Sequence, residues 1–359
     1  MSGQLKKLRG RIDELDGEIQ RLISERALVA EEVAKTKRQS GDDTAFYRAE
    51  REAEILRKVK ERNTGPLGDD EMARLFREIM SACLALEQPL KIAFLGPEGT
   101  FTQTAALKHF GHSVSTLSFP TIADVFKEVE SDTASYGVVP VENSTEGVVN
   151  HTLDQFIISD LQVCGEVELR IHHFLMGQGS ELSNIIKIYS HRQSLGQCRR
   201  WLDAHLAGVE RIDVSSNAEA ARLAAADETS VAIAGETAAD LYGLNILVRN
   251  IEDEVNNTTR FLVIGKRVTP ASGDDKTSLL VMTDNKPGSL YRILEPLARN
   301  GISMTRIESR PSRQGMWNYI FFVDVEGHIS EPNLAKALRE LSETASRVKV
   351  LGAYPRAVL

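Results

Sequence analysis

The sequence predicts a multidomain protein whose parts differ in class: an all-α unit, a two-lobed α/β unit and an α+β unit in the ferredoxin-like βαββαβ order. Three observations predict it. Leu5, Leu8, Ile12, Leu15, Ile19, Leu22, Ile23 and Val33 recur at helical steps through residues 4–38. From residue 91, short apolar runs alternate with helical stretches, and several of the runs end in polar clusters. From residue 277, strand, helix, strand, strand, helix and strand follow one another (277–283, 288–300, 301–309, 317–325, 331–345, 347–354).

Composition narrows the function. A chain of 359 residues, 42% hydrophobic and 26% charged, has the make-up of a soluble protein with two or three domains. A net charge of −8 argues against a nucleic-acid partner, which needs a basic face. Cys83, Cys164 and Cys198 lie far apart with no CxxC, which gives no metal site and fits a reducing compartment. Met1 to Lys7 runs straight into charged helical sequence, so a cytoplasmic location and no membrane partner are expected.

The first unit spans residues 1–88. A helix over 4–38 would be roughly 50 Å long, more than a compact unit of ~90 residues covers by itself. An intertwined helical homodimer, or a higher homo-oligomer, is therefore expected. Further helices are expected over 49–62 and 69–86, after the breaks at Ser40–Asp43 and Asn63–Gly68. Arg26 and Lys37, eleven residues apart, share a helix face. Arg9 points elsewhere and could reach a partner's site in an antiparallel dimer. Converging cations suit a dicarboxylate, and surface ion pairs are the plain alternative.

The pattern Leu8-Arg9, Asp13, Asp16, Glu25-Arg26, Lys35, Lys37 and Glu50-Arg51-Glu52 resembles the all-helical chorismate mutase domain. The resemblance implies that Arg9, Arg26 and Lys37 hold chorismate's two carboxylates. It places Arg51 in the site with Glu52 at the substrate hydroxyl, and Cys83 in the lining. Arg48 stands where an aspartate is common, and Glu87 where a glutamine donates to the ether oxygen. Lys37, Glu52 and Glu87 are the implied catalytic set. Glu87 donates only when protonated, so a raised pKa and a mutase rate that falls with rising pH are expected.

The central unit spans 91–268, with a second lobe at about 178–247. Strands are expected at 91–95, 114–119, 136–141, 166–176, 185–189, 231–234 and 261–264. Helices are expected from about 103 and at 121–131, 147–159, 217–226 and 236–242. Ser190, His191 and Gln193 fall on a loop, with Gln197 one turn into the following helix. His191 admits a general-acid reading or one as a ring hydrogen-bonded near a helix N-terminus. Gly96-Pro97-Glu98-Gly99-Thr100-Phe101-Thr102, Val139-Pro140-Val141-Glu142-Asn143-Ser144, Ser190-His191-Arg192-Gln193 with Gln197-Cys198, and Asn257-Thr258-Thr259-Arg260-Phe261 come in that order. Together they resemble prephenate dehydratase.

That resemblance implies a periplasmic-binding-protein-like pair of lobes with the site in the cleft. It makes Thr259 catalytic and sets Arg260 on a substrate carboxylate. Thr100, Asn143, Ser144, Ser190, His191, Gln193, Gln197, Thr258 and Phe261 would line the pocket. Prephenate loses CO₂ and water as its ring becomes aromatic, so no cofactor or metal is expected. What helps is a donor to the departing hydroxyl in a dry site. A threonine is a weak acid, so Thr259 is read as a positioned donor, with Thr258 its nearest rival.

The last unit spans 276–359. Its Asp284–Leu290 turn and Glu308-Ser309-Arg310-Pro311 resemble the ACT regulatory domain. The resemblance implies a phenylalanine site at a dimer interface, carried by Asn285, Gly288, Ser289, Leu290, Glu308, Ser309 and Arg310. Gly288-Ser289-Leu290-Tyr291 departs from the family's Gly-Ala-Leu-Val, and a domain that only dimerises is the alternative. The three resemblances imply a bifunctional enzyme of phenylalanine biosynthesis that converts chorismate to prephenate and then to phenylpyruvate, inhibited by phenylalanine. An arogenate dehydratase and a non-enzymatic amino-acid-binding sensor are the other readings.

Overall fold

The computed structural model describes residues 2–40, 47–179, 181–311 and 319–359. Its first unit is helical: α1 (Ser2–Ser40), α2 (Ala49–Arg62) and α3 (Asp69–Glu87). Helices α2 and α3 close a small core of Leu56, Ala73 and Met80. Helix α1 packs on α3, and Ala34 near its end is buried. Its earlier apolar residues, Leu8, Ile12, Leu15 and Ile19 among them, are 41–57% exposed, a stripe this chain leaves uncovered.

The first lobe contains β1 (Lys91–Leu95), α4 (Phe101–Phe110), β2 (Ser115–Phe119), α5 (Ile122–Glu130), β3 (Tyr136–Asn143), β4 (Gly147–Val148), α6 (Asn150–Ile158) and β5 (Gln162–Arg170). The second contains β6 (Phe174–Gly177), β7 (Lys187–His191), α7 (Arg192–Gln197), α8 (Arg199–His205), β8 (Glu210–Val214), α9 (Asn217–Ala224), β9 (Ser230–Ala234), α10 (Glu236–Tyr242) and β10 (Asn245–Val248). The chain then returns as β11 (Thr258–Gly265), which enters the first-lobe sheet between β3 and β5, in the order β2-β1-β3-β11-β5. The second sheet runs β10-β6-β9-β7-β8. Chain segments 171–173 and 249–257 therefore connect the lobes, and a cleft lies between them.

Local differences from expectation have physical causes. The run 166–176 is not one strand: it ends at Arg170, crosses between lobes and restarts at Phe174 in the other sheet. The expected helix 147–159 starts at Asn150, because Gly147, at φ 83°, pairs with Asn143 as a short hairpin strand. Ser190 and His191 end strand β7, and Gln193 is already helical. Strands β8 and β10 were not expected.

The C-terminal unit has β12 (Asp275–Thr283), α11 (Ser289–Arg299), β13 (Met304–Pro311), β14 (Tyr319–Glu326), α12 (Pro332–Thr344) and β15 (Arg347–Pro355). Its sheet order is β13-β14-β12-β15, the ferredoxin-like arrangement. Residues alternate across it. Leu279, Val281 and Val323 face the helices, while Leu280, Phe322 and Tyr354 share one core with Leu262 and Ile264 of the first lobe. The approach is close at Gly352, where a Cβ would sit 2.2 Å from the Val163 carbonyl oxygen. The helical unit joins this assembly too: Val358 and Leu359 pack on its core, and Arg57 Nη1 donates to the Ser272 carbonyl at 2.8 Å. Among the described residues no helix is long and apolar enough to cross a membrane.

Candidate functional site

Between the lobes lies a cavity of about 390 Å³ lined by Thr100, Asn143, His191, Gln193, Gln197, Thr259 and Phe261, all foreseen, and by Phe101, His173, Asn217 and Asn257, which were not. Antiparallel pairing of β11 with β3 sets Thr259 opposite Asn143. Asn143 Nδ2 donates to Thr259 Oγ1 at 2.7 Å and to Asn257 Oδ1 at 2.8 Å. The amide cannot be turned round, because Asn143 Oδ1 accepts from the backbone N–H of Thr145 and of Glu146, each at 3.0 Å. Thr259 thus accepts from Asn143, and among the described residues its own hydroxyl hydrogen is given to none. It remains available to a molecule in the cleft.

Arg260 corrects the sequence reading. Successive strand residues face opposite ways, so Arg260 points out of the cleft. Its Nε donates to Glu166 Oε2 at 2.9 Å, Nη1 to Asp324 Oδ2 at 2.5 Å and Nη2 to the Tyr354 hydroxyl at 2.9 Å. Burial opposes its charge, but Tyr354, Asp324 and Glu166 outweigh that and raise its pKa. The guanidinium ties the lobe to the C-terminal sheet and is not placed to hold a carboxylate in the cleft.

Thr258, Ser144 and Ser190, also expected in the pocket, support it from behind, whereas His191 lines it. Thr258 and Ser144 lock a turn, with the Thr258 N–H on Ser144 Oγ at 3.0 Å, and neither lines the cavity. Ser190 is fully buried and bonds Asn217 Oδ1 at 3.0 Å and the Ile233 carbonyl at 3.1 Å, so it orients Asn217 rather than a ligand. His191 Nδ1 accepts from the Gln193 N–H at 3.4 Å, the ring-at-a-helix-start arrangement.

In the helical unit, Arg26 lies in the fields of both Glu52 and Glu87. Burial raises the Glu87 pKa, against the pull of Lys37, Arg26 and Arg38. Burial also raises that of Glu52, against Arg77 and Arg26, and Glu52 pairs with the buried Arg77, which was not foreseen. Arg48 pairs with Glu50 at 2.6 Å, and Cys83 is buried. Arg51 corrects another expectation: it turns outward to Glu54 at 2.9 Å, with a side chain 54% exposed. Arg9 is exposed on α1, ~25 Å along the helix from Arg26, and among the described residues it makes no ion pair.

In the C-terminal unit, Gly288 adopts φ 79° before α11, Ser289 Oγ accepts from Arg292 Nη2 at 3.0 Å, and Leu290 is exposed. Asn285 and Ser309 are exposed and Glu308 is half-buried. Arg310 departs from expectation. Its Nη1 meets Asp154 Oδ1 at 2.8 Å and the Asn150 carbonyl at 2.9 Å, so it docks on α6. Nearby, Arg306 Nε lies 2.7 Å from Glu142 Oε2, one residue before Asn143.

Of the residues missed, Asn257 stood within the motif and His173 in the His172-His173 pair. Asn217 and Arg77 carried no signal, because their partners are distant in sequence.

Family descriptions match the chain in three places: chorismate mutase type II over 8–88, prephenate dehydratase over 92–269 and ACT domain over 277–343. A bifunctional chorismate mutase/prephenate dehydratase of Stutzerimonas stutzeri is 57% identical over 99% of either chain. A solved prephenate dehydratase from Arthrobacter aurescens, in complex with L-Phe, is 32% identical with a TM-score of 0.69, over 75% of this chain and 90% of its own. A structure described as GqqA, a novel type of quorum quenching acylase, is 33% identical with a TM-score of 0.69, over 74% and 98%.

Proposed function

The chain belongs to the family of bifunctional chorismate mutases/prephenate dehydratases, and on that premise we propose how its residues divide the two reactions and how the product of the pathway controls them. It has chorismate mutase and prephenate dehydratase activities. We take residues 1–88, 91–268 and 276–359 as the mutase, dehydratase and ACT domains.

In the mutase domain, Arg26 and Lys37, with Arg9 of a second copy, hold chorismate's carboxylates. Protonated Glu87 donates to the ether oxygen as its bond breaks, and Glu52 receives the substrate hydroxyl. The uncovered stripe of α1 supports a homodimer in which α1 of each copy covers the other. No prosthetic group is invoked, since the rearrangement needs only a folded substrate and a stabilised oxygen.

In the dehydratase cleft, Thr259 gives its hydrogen bond to the 4-hydroxyl of prephenate. The C–O bond breaks as the hydroxyl takes up one proton, relayed from solvent through the Thr259 hydroxyl, and it leaves as water. The ring carboxylate leaves as CO₂, and its bonding electrons complete the aromatic ring. Phe101 and Phe261 give the departing CO₂ an apolar wall. With Arg260 engaged elsewhere, the anion is met by Gln193, whose side-chain amide lines the cavity. The bond from Asn143 to Thr259 carries this reading, since it leaves Thr259 free to donate. Chorismate supplied to Thr259→Ala tests it: prephenate should accumulate and phenylpyruvate should not. Continued phenylpyruvate formation at the parent rate would overturn it. A mutase that makes prephenate in the same chain favours prephenate over arogenate, and enzymatic activity leaves no need for the sensor reading.

Phenylalanine binds the ACT domain and inhibits the dehydratase. Support comes from the relative solved with L-Phe and from the ion pairs Arg260–Asp324, Arg306–Glu142 and Arg310–Asp154, which join the ACT sheet to the cleft's own elements. Dehydratase assays with added phenylalanine test this, and unchanged rates at millimolar phenylalanine would refute it. A cytoplasmic location fits the reduced cysteines, all of them buried and free.

A further inference from the structure

His173 has no part in the roles above, yet it stands where the chain crosses between lobes and borders the cleft. It is 1% exposed. Its backbone is held from the other crossing: its N–H donates to Glu252 Oε2 at 2.9 Å and its carbonyl accepts from the Ile251 N–H at 2.9 Å. Its ring stands edge-on to Phe101, with centroids 5.7 Å apart. Nε2 lies 2.8 Å from Gln197 Oε1, and Nδ1 is buried without a partner among the described residues.

These contacts decide the tautomer. Gln197 Nε2 faces Thr145 Oγ1 at 3.3 Å and Glu146 Oε1 at 3.4 Å. A carboxylate only accepts, and the Thr145 hydroxyl hydrogen goes to Asn143 Oδ1 at 2.6 Å. The Gln197 amide nitrogen must therefore face the first lobe and its oxygen must face His173. That oxygen accepts, so His173 Nε2 carries the hydrogen. Burial keeps the ring neutral by lowering its pKa, against the Gln197 bond. Nδ1 is then a bare acceptor, and a buried orphan acceptor is tolerated better than a buried orphan N–H.

We propose that His173 is a positioning residue for the dehydratase reaction: by donating from Nε2 it turns the Gln197 amide so that its N–H faces the cleft. The hydrogen bonds then run in one direction, from His173 to Gln197, across to Thr145, on to Asn143 and finally to Thr259. Thr259, the last acceptor, keeps its own hydrogen for the substrate. Without the His173 donor, Gln197 is free to rotate and point its oxygen at Glu146. An acceptor would then meet a carboxylate, the bridge between lobes would be lost, and with it the one-way run of hydrogen bonds that ends on Thr259.

The inference rests on reading this cleft as the dehydratase site, and the test separates the two. Full-length His173→Phe and His173→Gln are compared with the parent and with Thr259→Ala for dehydratase kcat and KM, with the mutase activity of each preparation as the folding control. His173→Phe should lose about 10- to 100-fold in dehydratase kcat/KM while its mutase activity holds. His173→Gln, which still presents a donor near the Nε2 position, should recover most of that loss. Nitrogen-15 NMR of the parent's ring should show hydrogen on Nε2 and none on Nδ1. A ring protonated on Nδ1 overturns the proposal even if His173→Phe fails to fold. So does a folded His173→Phe within about twofold of the parent. If Thr259→Ala retains full dehydratase activity, the cleft assignment itself has failed.

Discussion

Arg260 and Asp324 meet at 2.5 Å across the boundary between the dehydratase and ACT domains, one residue along the strand from Thr259. Strand alternation sends Thr259 into the cleft and its neighbour into the regulatory sheet. A shift of the C-terminal sheet would therefore be felt on the strand that carries the Thr259 hydroxyl, with one peptide between them.

Replacing Arg260 should act on stability before substrate binding. Arg260→Met leaves Asp324 and Glu166 buried without this guanidinium, and breaking such a pair costs about 3–5 kcal/mol. The expected result is a lower melting temperature with a prephenate KM within a few-fold of the parent. A KM raised ~100-fold at unchanged melting temperature would restore Arg260 to the carboxylate.

Thr259→Ala should lower dehydratase kcat by about 10²- to 10³-fold with KM little changed, as expected for a donor that acts mainly in the transition state. Thr259→Ser, which keeps the hydroxyl, should stay within about tenfold. A similar loss on Thr258→Ala instead would move the role to the neighbouring residue.

The mutase should lose activity as pH rises. Burial raises the Glu87 pKa, so the protonated donor is present below the raised value and is lost as pH climbs through it. Glu87→Gln donates at every pH, so its profile should be flat over the range where the parent declines. A parent rate that is level from pH 5 to 9 would remove Glu87 from the mechanism.

Arg306→Met should uncouple regulation. The side chain links ACT strand β13 to Glu142, beside Asn143, without lining the cavity. The phenylalanine concentration for half-inhibition should rise about tenfold, a coupling of roughly 1.4 kcal/mol, while uninhibited turnover stays within a few-fold. Unaltered inhibition would place the coupling elsewhere.

Charges placed in the exposed stripe of α1 should separate the two activities. If α1 of each copy covers the other as proposed, Ile12→Asp with Ile19→Asp should abolish mutase activity by parting those helices. The dehydratase, built within one chain, should keep its rate. Loss of both activities together would indicate a general folding defect rather than a broken dimer contact.

The sequence alone determined the classes of the three units and most of their helices and strands, because helical and strand periods are local properties; it missed β8 and β10 and ran β5 and β6 together. It also marked the polar strand ends, since clusters such as Asn257-Thr258-Thr259 interrupt apolar runs. It did not determine which way those residues face. Strand β11 is central in its sheet and largely buried, so no polar–apolar alternation distinguishes its cleft side from its ACT side. Only tertiary pairing did so, by bringing Asp324 to Arg260 over 64 residues and Asn143 to Thr259 over 116. The same holds for Ser190, whose partner Asn217 comes from a different element, and for Arg310, drawn to Asp154 by domain docking. Charge and hydrogen-bond partners depend on distances that the packing of whole layers sets, and that packing turned a foreseen substrate anchor into a joint between domains.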